Sequence, residues 1–230
     1  MILEELKWDT GFLGYPVARL DTDGRQYEDG LLQELTRPFR LVYVMSPDPL
    51  ISTNLFCGDT KVVFSKKTMD HGADDHVIDV SDSQVAMAKK IGRQSGIWSR
   101  FSLDDHFEKG VFERLYDTWV ERSIRKEIAF KALTIMEKDA LSGLITLGES
   151  GPKSPSIGLF AVADGFRGRG IGKQLLRAAD TISFKRGYPR INVATQGKNR
   201  VAREVYERFG FEVISETYIY NYWNEAFAVQ

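Results

Sequence analysis

Residues 167–176 read RGRGIGKQLL, in which three glycines alternate with other residues beside three cations, Arg167, Arg169 and Lys173. Glycine permits a sharp turn and lets backbone N–H groups come close to a ligand. A helix starting here adds partial positive charge and unpaired N–H donors, which is the chemistry of an anion site, for phosphate above all. A second candidate group lies in NVATQGKNRVAREVYERFGFE. There Asn199, Ala202 and Tyr206 are spaced three and four apart and so share one face of a helix, with Val201, Val205 and Phe209 expected to point elsewhere, into the core. Taken alone, Tyr206 reads as an amphipathic aromatic at a helix edge.

Two common phosphate motifs do not fit the glycine stretch. A Walker loop requires Gly, four residues and then Gly-Lys-Ser/Thr, but Arg167 stands where the first Gly belongs and Gln174 replaces Ser/Thr. A dinucleotide fingerprint requires an acidic residue at the end of the next strand, and Asn192 and Thr195 stand there instead. The charge distribution supports a local anion site. Residues 161–210 carry eleven Lys or Arg against four Asp or Glu, a local +7 in a chain whose net charge is −1. A nucleic-acid groove usually makes a whole domain basic, so neither nucleic acid nor a membrane is an expected partner; a run of solvated helix faces explains the excess equally well.

Other candidates have plainer readings. DHGADDH, residues 70–76, offers His71, Asp74, Asp75 and His76, but its spacing matches no common metal site; we read a solvated acidic loop and expect no metal. His106 is expected in the first turn of its helix rather than as a base. The single cysteine, Cys57, excludes an internal disulfide and fits a reducing, cytoplasmic compartment; it is expected to pack as a small apolar residue. The first residues, MILEELKWDT, lack the basic end and apolar stretch of a secretory signal, and no apolar run is long enough to span a membrane.

These groups must be held by strands and helices. The first 80 residues read as strands and loops, with VARLD, LVYVMS and KVVFSKK as strands. Ser81 and Gln84 have capping-box spacing ahead of a helix with Val85, Ala88 and Ile91 on one face. A longer amphipathic helix follows, with Phe107, Val111, Leu115, Trp119 and Ile124 on its buried side. FKALTIM and LSGLITLGE form a hairpin, and SPSIGLFAVA is the strand delivering the glycine loop. The next helix carries Ile171, Leu175, Ala179 and Ile182 on one face and stops near Gly187. RINVAT, KNRVAREVYERF and FEVISETYIYNYW complete a strand, a helix closed by Gly210, and a strand or hairpin. This alternation predicts an α/β chain with a partly parallel sheet.

Arg167, Gly170 and Gly172 satisfy R-x-x-G-x-G, which resembles the acetyl-CoA pyrophosphate loop of the GNAT superfamily of N-acetyltransferases. The preceding GLFAVADGF fits as well, although Ala163–Asp164 stands where the family often has Pro-Glu or Pro-Asp, a departure expected to do little to the loop. The Asn199-to-Tyr206 segment resembles the family's other signature. A narrower resemblance, to the dTDP-fucosamine acetyltransferases, rests on LKWDTGFLGYPVARL, SRFS and INVATQGKN…VYERFGFEVISETYIY. It implies a GNAT fold over residues 81–230, with a mixed sheet splayed between two parallel strands, behind a small strand-rich degenerate N-terminal domain, residues 1–80.

The resemblance implies acetyl-CoA as co-substrate, bound by Phe160, Ala161, Val162, Arg167, Gly168, Arg169, Gly170, Ile171, Gly172, Lys173 and Asn199. Tyr206 is implied as the general acid beside the thioester sulfur. The implied acceptor is the 4-amino group of a dTDP-linked 4-amino-4,6-dideoxy sugar for surface polysaccharide, expected near Trp98, Arg100, Phe101 and Tyr218. A homodimer is implied too. A GNAT enzyme for a peptide, polyamine or other small amine, and a CoA-binding domain without catalysis, remain alternatives. No general base is apparent.

Overall fold

The protein is described by a computed structural model covering residues 2–26, 29–51, 55–151, 154–225 and 227. In chain order the elements are β1 (Ile2–Glu5), α1 (Lys7–Leu13), β2 (Val17–Asp21), α2 (Asp29–Leu35), β3 (Leu41–Ser46), β4 (Phe56–Lys67) and β5 (Val77–Asp79). Then come α3 (Val85–Gln94), α4 (Arg100–Leu103), α5 (Val111–Ile124), β6 (Lys131–Glu137), β7 (Ala140–Glu149) and β8 (Pro155–Val162). The chain closes with α6 (Ile171–Lys185), β9 (Arg190–Gln196), α7 (Arg200–Arg208) and β10 (Glu212–Trp223). Cys57 falls in β4, and its side chain lies outside the described residues.

Among the described residues, ten strands form one mixed sheet in the order β1-β2-β3-β10-β4-β9-β8-β7-β6-β5, as expected of an α/β chain with some parallel pairing. Only β2–β3 and β8–β9 run parallel. The C-terminal strand is one continuous element, antiparallel to both β3 and β4, so strands from the first 80 residues and the last 20 alternate at the centre of the sheet. Strand periodicity sends neighbouring residues to opposite faces. Leu144 packs with α3 and α5 on one side, while Ile145 and Leu147 pack with α6 and α7 on the other.

Several local expectations need correction. The N-terminal segment contains α1 and α2, each of seven residues, too short to show a helical repeat. The capping box at Ser81 forms, but it first closes a 3-10 turn over Asp82–Gln84. Gly110, at φ 88°, starts α5, so His106 and Phe107 precede that helix. His106 Nδ1 lies 2.7 Å from Asp104 Oδ1, and its ring stacks on Trp223. The buried Asp104 carboxylate also accepts from Asn221 Nδ2 at 2.6 Å and Trp223 Nε1 at 2.8 Å, tying this turn to β10. No helix among the described residues is long and apolar enough to cross a membrane.

The 70–76 segment is also less detached than an acidic loop implies. Asp180 of α6, only 1 % exposed, accepts from Met69 N–H at 3.1 Å, lies 2.8 Å from His71 Nε2 and forms an ion pair with Lys66 Nζ. His71 N–H donates to Thr181 Oγ1 at 2.9 Å, whereas Asp75 and His76 remain exposed. Removing one partner of a buried ion pair strands the other charge. Asp180→Ala is therefore expected to destabilise the fold by about 3 kcal/mol or more, read as a lower urea midpoint, with Asp180→Asn losing less because it keeps a hydrogen-bonding oxygen.

Candidate active site

The glycine loop connects β8 to α6. Gly168 and Gly170 sit at φ 76° and 82°, a left-handed conformation that side chains resist, and Gly170 is the first flanking residue of α6. Gln174 makes the first helical bond, to Gly170 O at 3.1 Å, so the preceding helical N–H groups have no helical partner. Arg167 donates from Nε to Val162 O at 3.2 Å and pairs with Asp164 Oδ1 at 2.8 Å. Asp164 is thus more than a changed turn residue: it fixes the first cation of the loop and offsets part of its charge.

Upstream, β8 leaves its parallel neighbour. It pairs with β9 only at Ser156↔Asn192 and Ile157↔Val193. On its other edge, Ile157 faces Leu147 and Phe160 faces Ile145, so Gly158 and Leu159 together oppose the single Thr146. This is a β-bulge, which bends the strand that carries it. Thr146 Oγ1 accepts from Leu159 N–H at 2.8 Å and fixes the bulge. Beyond it, the edge of β8 facing β9 has no ladder partner. The expected splay between the two parallel strands is present, and the bulge is its local cause.

Two cavities open on this gap. A groove of about 560 Å³ is lined by Phe160, Ala161, Val162, Arg167, Gly168, Gly170, Ile171, Gly172, Lys173 and Asn199, all expected together, with Trp98 and Val201 beside them. A second cavity, of about 420 Å³, is lined by Arg100, Phe101, Thr195, Tyr206 and Asp59, among others. Ser95, Phe160, Asn199 and Ala202 line both, so the two spaces meet there.

The structure separates some residues that the sequence grouped. Trp98 belongs to the glycine-loop groove rather than to the cavity of Arg100 and Phe101. Tyr218 lines neither; Ile219 packs with Phe101, and strand alternation puts Tyr218 on the opposite face of β10. Arg169 does not line the groove, and its guanidinium lies 5.4 Å from the Phe166 ring centre. Val201 is 75 % exposed at the groove rim instead of buried in the core.

Tyr206 is the inward residue of α7, 3 % exposed, with its ring among Phe64, Phe160 and Phe211. Burial alone raises its phenol pKa, so the hydroxyl remains a proton donor across the neutral range. The side-chain oxygen of Asn199 accepts from Ala202 N–H at 3.1 Å, capping α7 and orienting its amide at the junction of the two cavities.

Asp59 was not singled out from the sequence. Burial pushes its carboxyl up to about 6, partly offset by Arg100, the Thr60 N–H and Lys198. Its local signal is a carboxylate within the β-rich run FCGDTKVVF. Arg100 is held between two aromatic faces, 4.4 Å from the ring centres of both Tyr43 and Phe101, and its buried Nε has no hydrogen-bond partner among the described residues.

The model of the acetyltransferase (GNAT) family matches residues 96–211. No curated protein matches the sequence. Among solved structures, a functionally unknown conserved protein from Staphylococcus epidermidis is 14% identical with a TM-score of 0.60, covering 91% of this chain and 84% of its own. A GNAT-family acetyltransferase from Colwellia psychrerythraea is 14% identical at 0.54, covering 86% and 75%. A protein assigned to the same family from Novosphingobium aromaticivorans is 12% identical at 0.54, covering 79% and 73%. At these identities the likeness is one of fold.

Proposed function

Because the chain belongs to the acetyltransferase (GNAT) family, we propose that it moves the acetyl group of acetyl-CoA onto the 4-amino group of a dTDP-linked 4-amino-4,6-dideoxy sugar. Family membership supports N-acetyl transfer from acetyl-CoA; the acceptor rests on the narrower sequence resemblance and on the second cavity. The carrying observation is the meeting of the two cavities at Phe160, Asn199 and Ala202, with Tyr206 lining the second.

In this reading the CoA pyrophosphate lies on the N–H groups of residues 168–173, with Lys173 and Arg167 supplying charge. The pantetheine arm fills the gap that the bulge opens, against the free edge of β8 at Phe160–Val162. One N–H there polarises the acetyl carbonyl and stabilises the oxyanion formed on attack. The amine approaches from the Arg100 cavity, and Tyr206 protonates the departing sulfur. The unpartnered Nε of Arg100 suits the acceptor's diphosphate. A homodimer, a cytoplasmic setting and a division into a small N-terminal domain, residues 1–80, and a GNAT domain, residues 81–230, belong to the same reading.

CoA release against a panel of dTDP- and UDP-linked amino sugars tests the acceptor. Turnover only with a polyamine or peptide amine assigns another acceptor, and no turnover leaves a CoA-binding protein. Arg100→Ala is expected to raise the acceptor KM and leave that of acetyl-CoA unchanged; equal effects on both, or on neither, refute this placement.

The loop assignment has its own test. Gly170→Asp, which forces a side chain into a left-handed conformation and adds negative charge, and Arg167→Glu should each weaken acetyl-CoA binding at least tenfold, about 1.4 kcal/mol. Calorimetric titration of the folded variants reads this directly.

A thiol leaves with a pKa of about 8.5 against about 10 for a free phenol, and burial of Tyr206 raises its phenol further. The phenol is therefore protonated when the sulfur departs. Tyr206→Phe should lower kcat by about 10²-fold with the acetyl-CoA KM little changed, the pattern of an interaction made mainly in the transition state. Wild-type kcat in this variant, with chemistry rate-limiting, returns Tyr206 to a packing role.

A further inference from the structure

Among the described residues, two carboxylates line the second cavity, Asp59 and Glu149. Glu149 is exposed at the end of β7 and accepts the Tyr188 hydroxyl. Asp59 is different. It is only 8 % exposed, it lies on the central strand β4 beside Thr60, and it forms no ion pair with a described residue. Thr60 O accepts Gly197 N–H at 2.6 Å, which anchors the turn leading from β9 to Asn199 and α7. Asp59 is therefore the immediate neighbour of the residue that anchors the segment carrying Tyr206.

The groups facing Asp59 come from three directions. Arg100 of α4 and Lys198 of the β9–α7 turn favour its charged form, and the Tyr116 phenol of α5 is a further titratable neighbour. Opposite it on β10 stands Ile219, which is apolar. A buried carboxylate without an ion-pair partner is costly to keep charged, and a cationic ligand would relieve that cost. An amine acceptor enters such a cavity as an ammonium ion.

We propose that Asp59 binds the acceptor's ammonium group and takes the proton it must lose before attack, directly or across one water. This rests on the acetyl-transfer reading of the same site. One N–H proton passes to the carboxylate, and the freed lone pair forms the N–C bond to the acetyl carbon. As the C–S bond breaks, sulfur leaves with the bonding pair and is protonated through Tyr206. The second N–H proton leaves the new amide nitrogen and restores the phenol. Asp59 then returns its proton to solvent, so one ammonium and one thioester give one amide, one thiol and one proton.

Deprotonated Asp59 is the competent form, so kcat/KM should rise with pH through a limb whose midpoint lies near 6. The experiment compares wild type with Asp59→Asn between pH 5 and 9, following CoA release with the dTDP-linked amino sugar and with hydroxylamine, which is largely uncharged at neutral pH. With the amino sugar, the limb near 6 should vanish in the variant, and kcat/KM at pH 7 should fall by about 10²-fold. With hydroxylamine the deficit should shrink to less than tenfold. An unchanged limb with the amino sugar, or the same deficit with both acceptors, overturns the proposal.

Two further measurements keep the outcome readable. Calorimetric binding of acetyl-CoA to Asp59→Asn should match wild type; if it does not, Asp59→Glu supplies the comparison and should retain the acid limb. Carbon-13 NMR of aspartate-labelled wild-type protein should show one carboxyl titrating near 6 that the variant lacks; its absence overturns the proposal without any acceptor. A wild-type protein that releases no CoA with any amine refutes the acetyl-transfer reading itself, and this role with it.

Discussion

The arrangement depends on one local irregularity, the bulge at Gly158–Leu159 opposite Thr146. A parallel pair that stayed in register would satisfy every backbone group along β8 and β9 and leave no room between them. The extra residue in β8 turns that strand away after two paired positions. Unpaired backbone groups thereby become available on the concave side of the gap, which would be costly inside a closed sheet. A strand edge becomes a ligand-facing wall because its neighbour departs.

The elements around the gap provide different chemistry according to how each one ends. The left-handed glycines before α6 present free N–H groups toward the groove, while α7 is capped by Asn199 and its N-terminal face stays closed. The N-termini of both helices line the same groove, one with its first N–H groups left without helical partners and the other capped at Ala202 by Asn199. Burial of Tyr206 among three aromatic rings keeps its phenol protonated. The same exclusion of water raises the carboxyl of Asp59. Low polarity therefore moves a prospective acid and a prospective base in the same direction, and each gains from it: the phenol holds its proton, and the carboxylate becomes more basic.

Strand insertion brings the N-terminal segment to the second cavity through Asp59 of β4. Asp59 on β4 and Tyr43 on β3 come from the first 80 residues, whereas Arg100 and Tyr206 come from the rest. Because β10 lies between β3 and β4, it joins the strand of Tyr43 to the strand of Asp59. Arg100 lies against a ring from each part, Tyr43 and Phe101. Its charge and the cavity shape are thus shared property of both segments.

What the sequence by itself determined is local. Glycines at 168, 170 and 172, the stop at Gly187 and the 199–202–206 spacing each act through a few bonds, so composition and periodicity are enough to read the loop, α6, α7 and the β6–β7 hairpin. The short α1 and α2 left no periodic trace, and Asp164 looked incidental because its ion pair with Arg167 depends on the turn's three-dimensional course. Only the tertiary structure decided which distant residues meet. Strand alternation sent Tyr218 to the far face of the sheet, the loop after α3 carried Trp98 to the glycine-loop groove, and β4 delivered Asp59 beside Arg100. Such meetings are fixed by sheet order and by which groups lose water, and neither is written in the spacing of neighbouring residues.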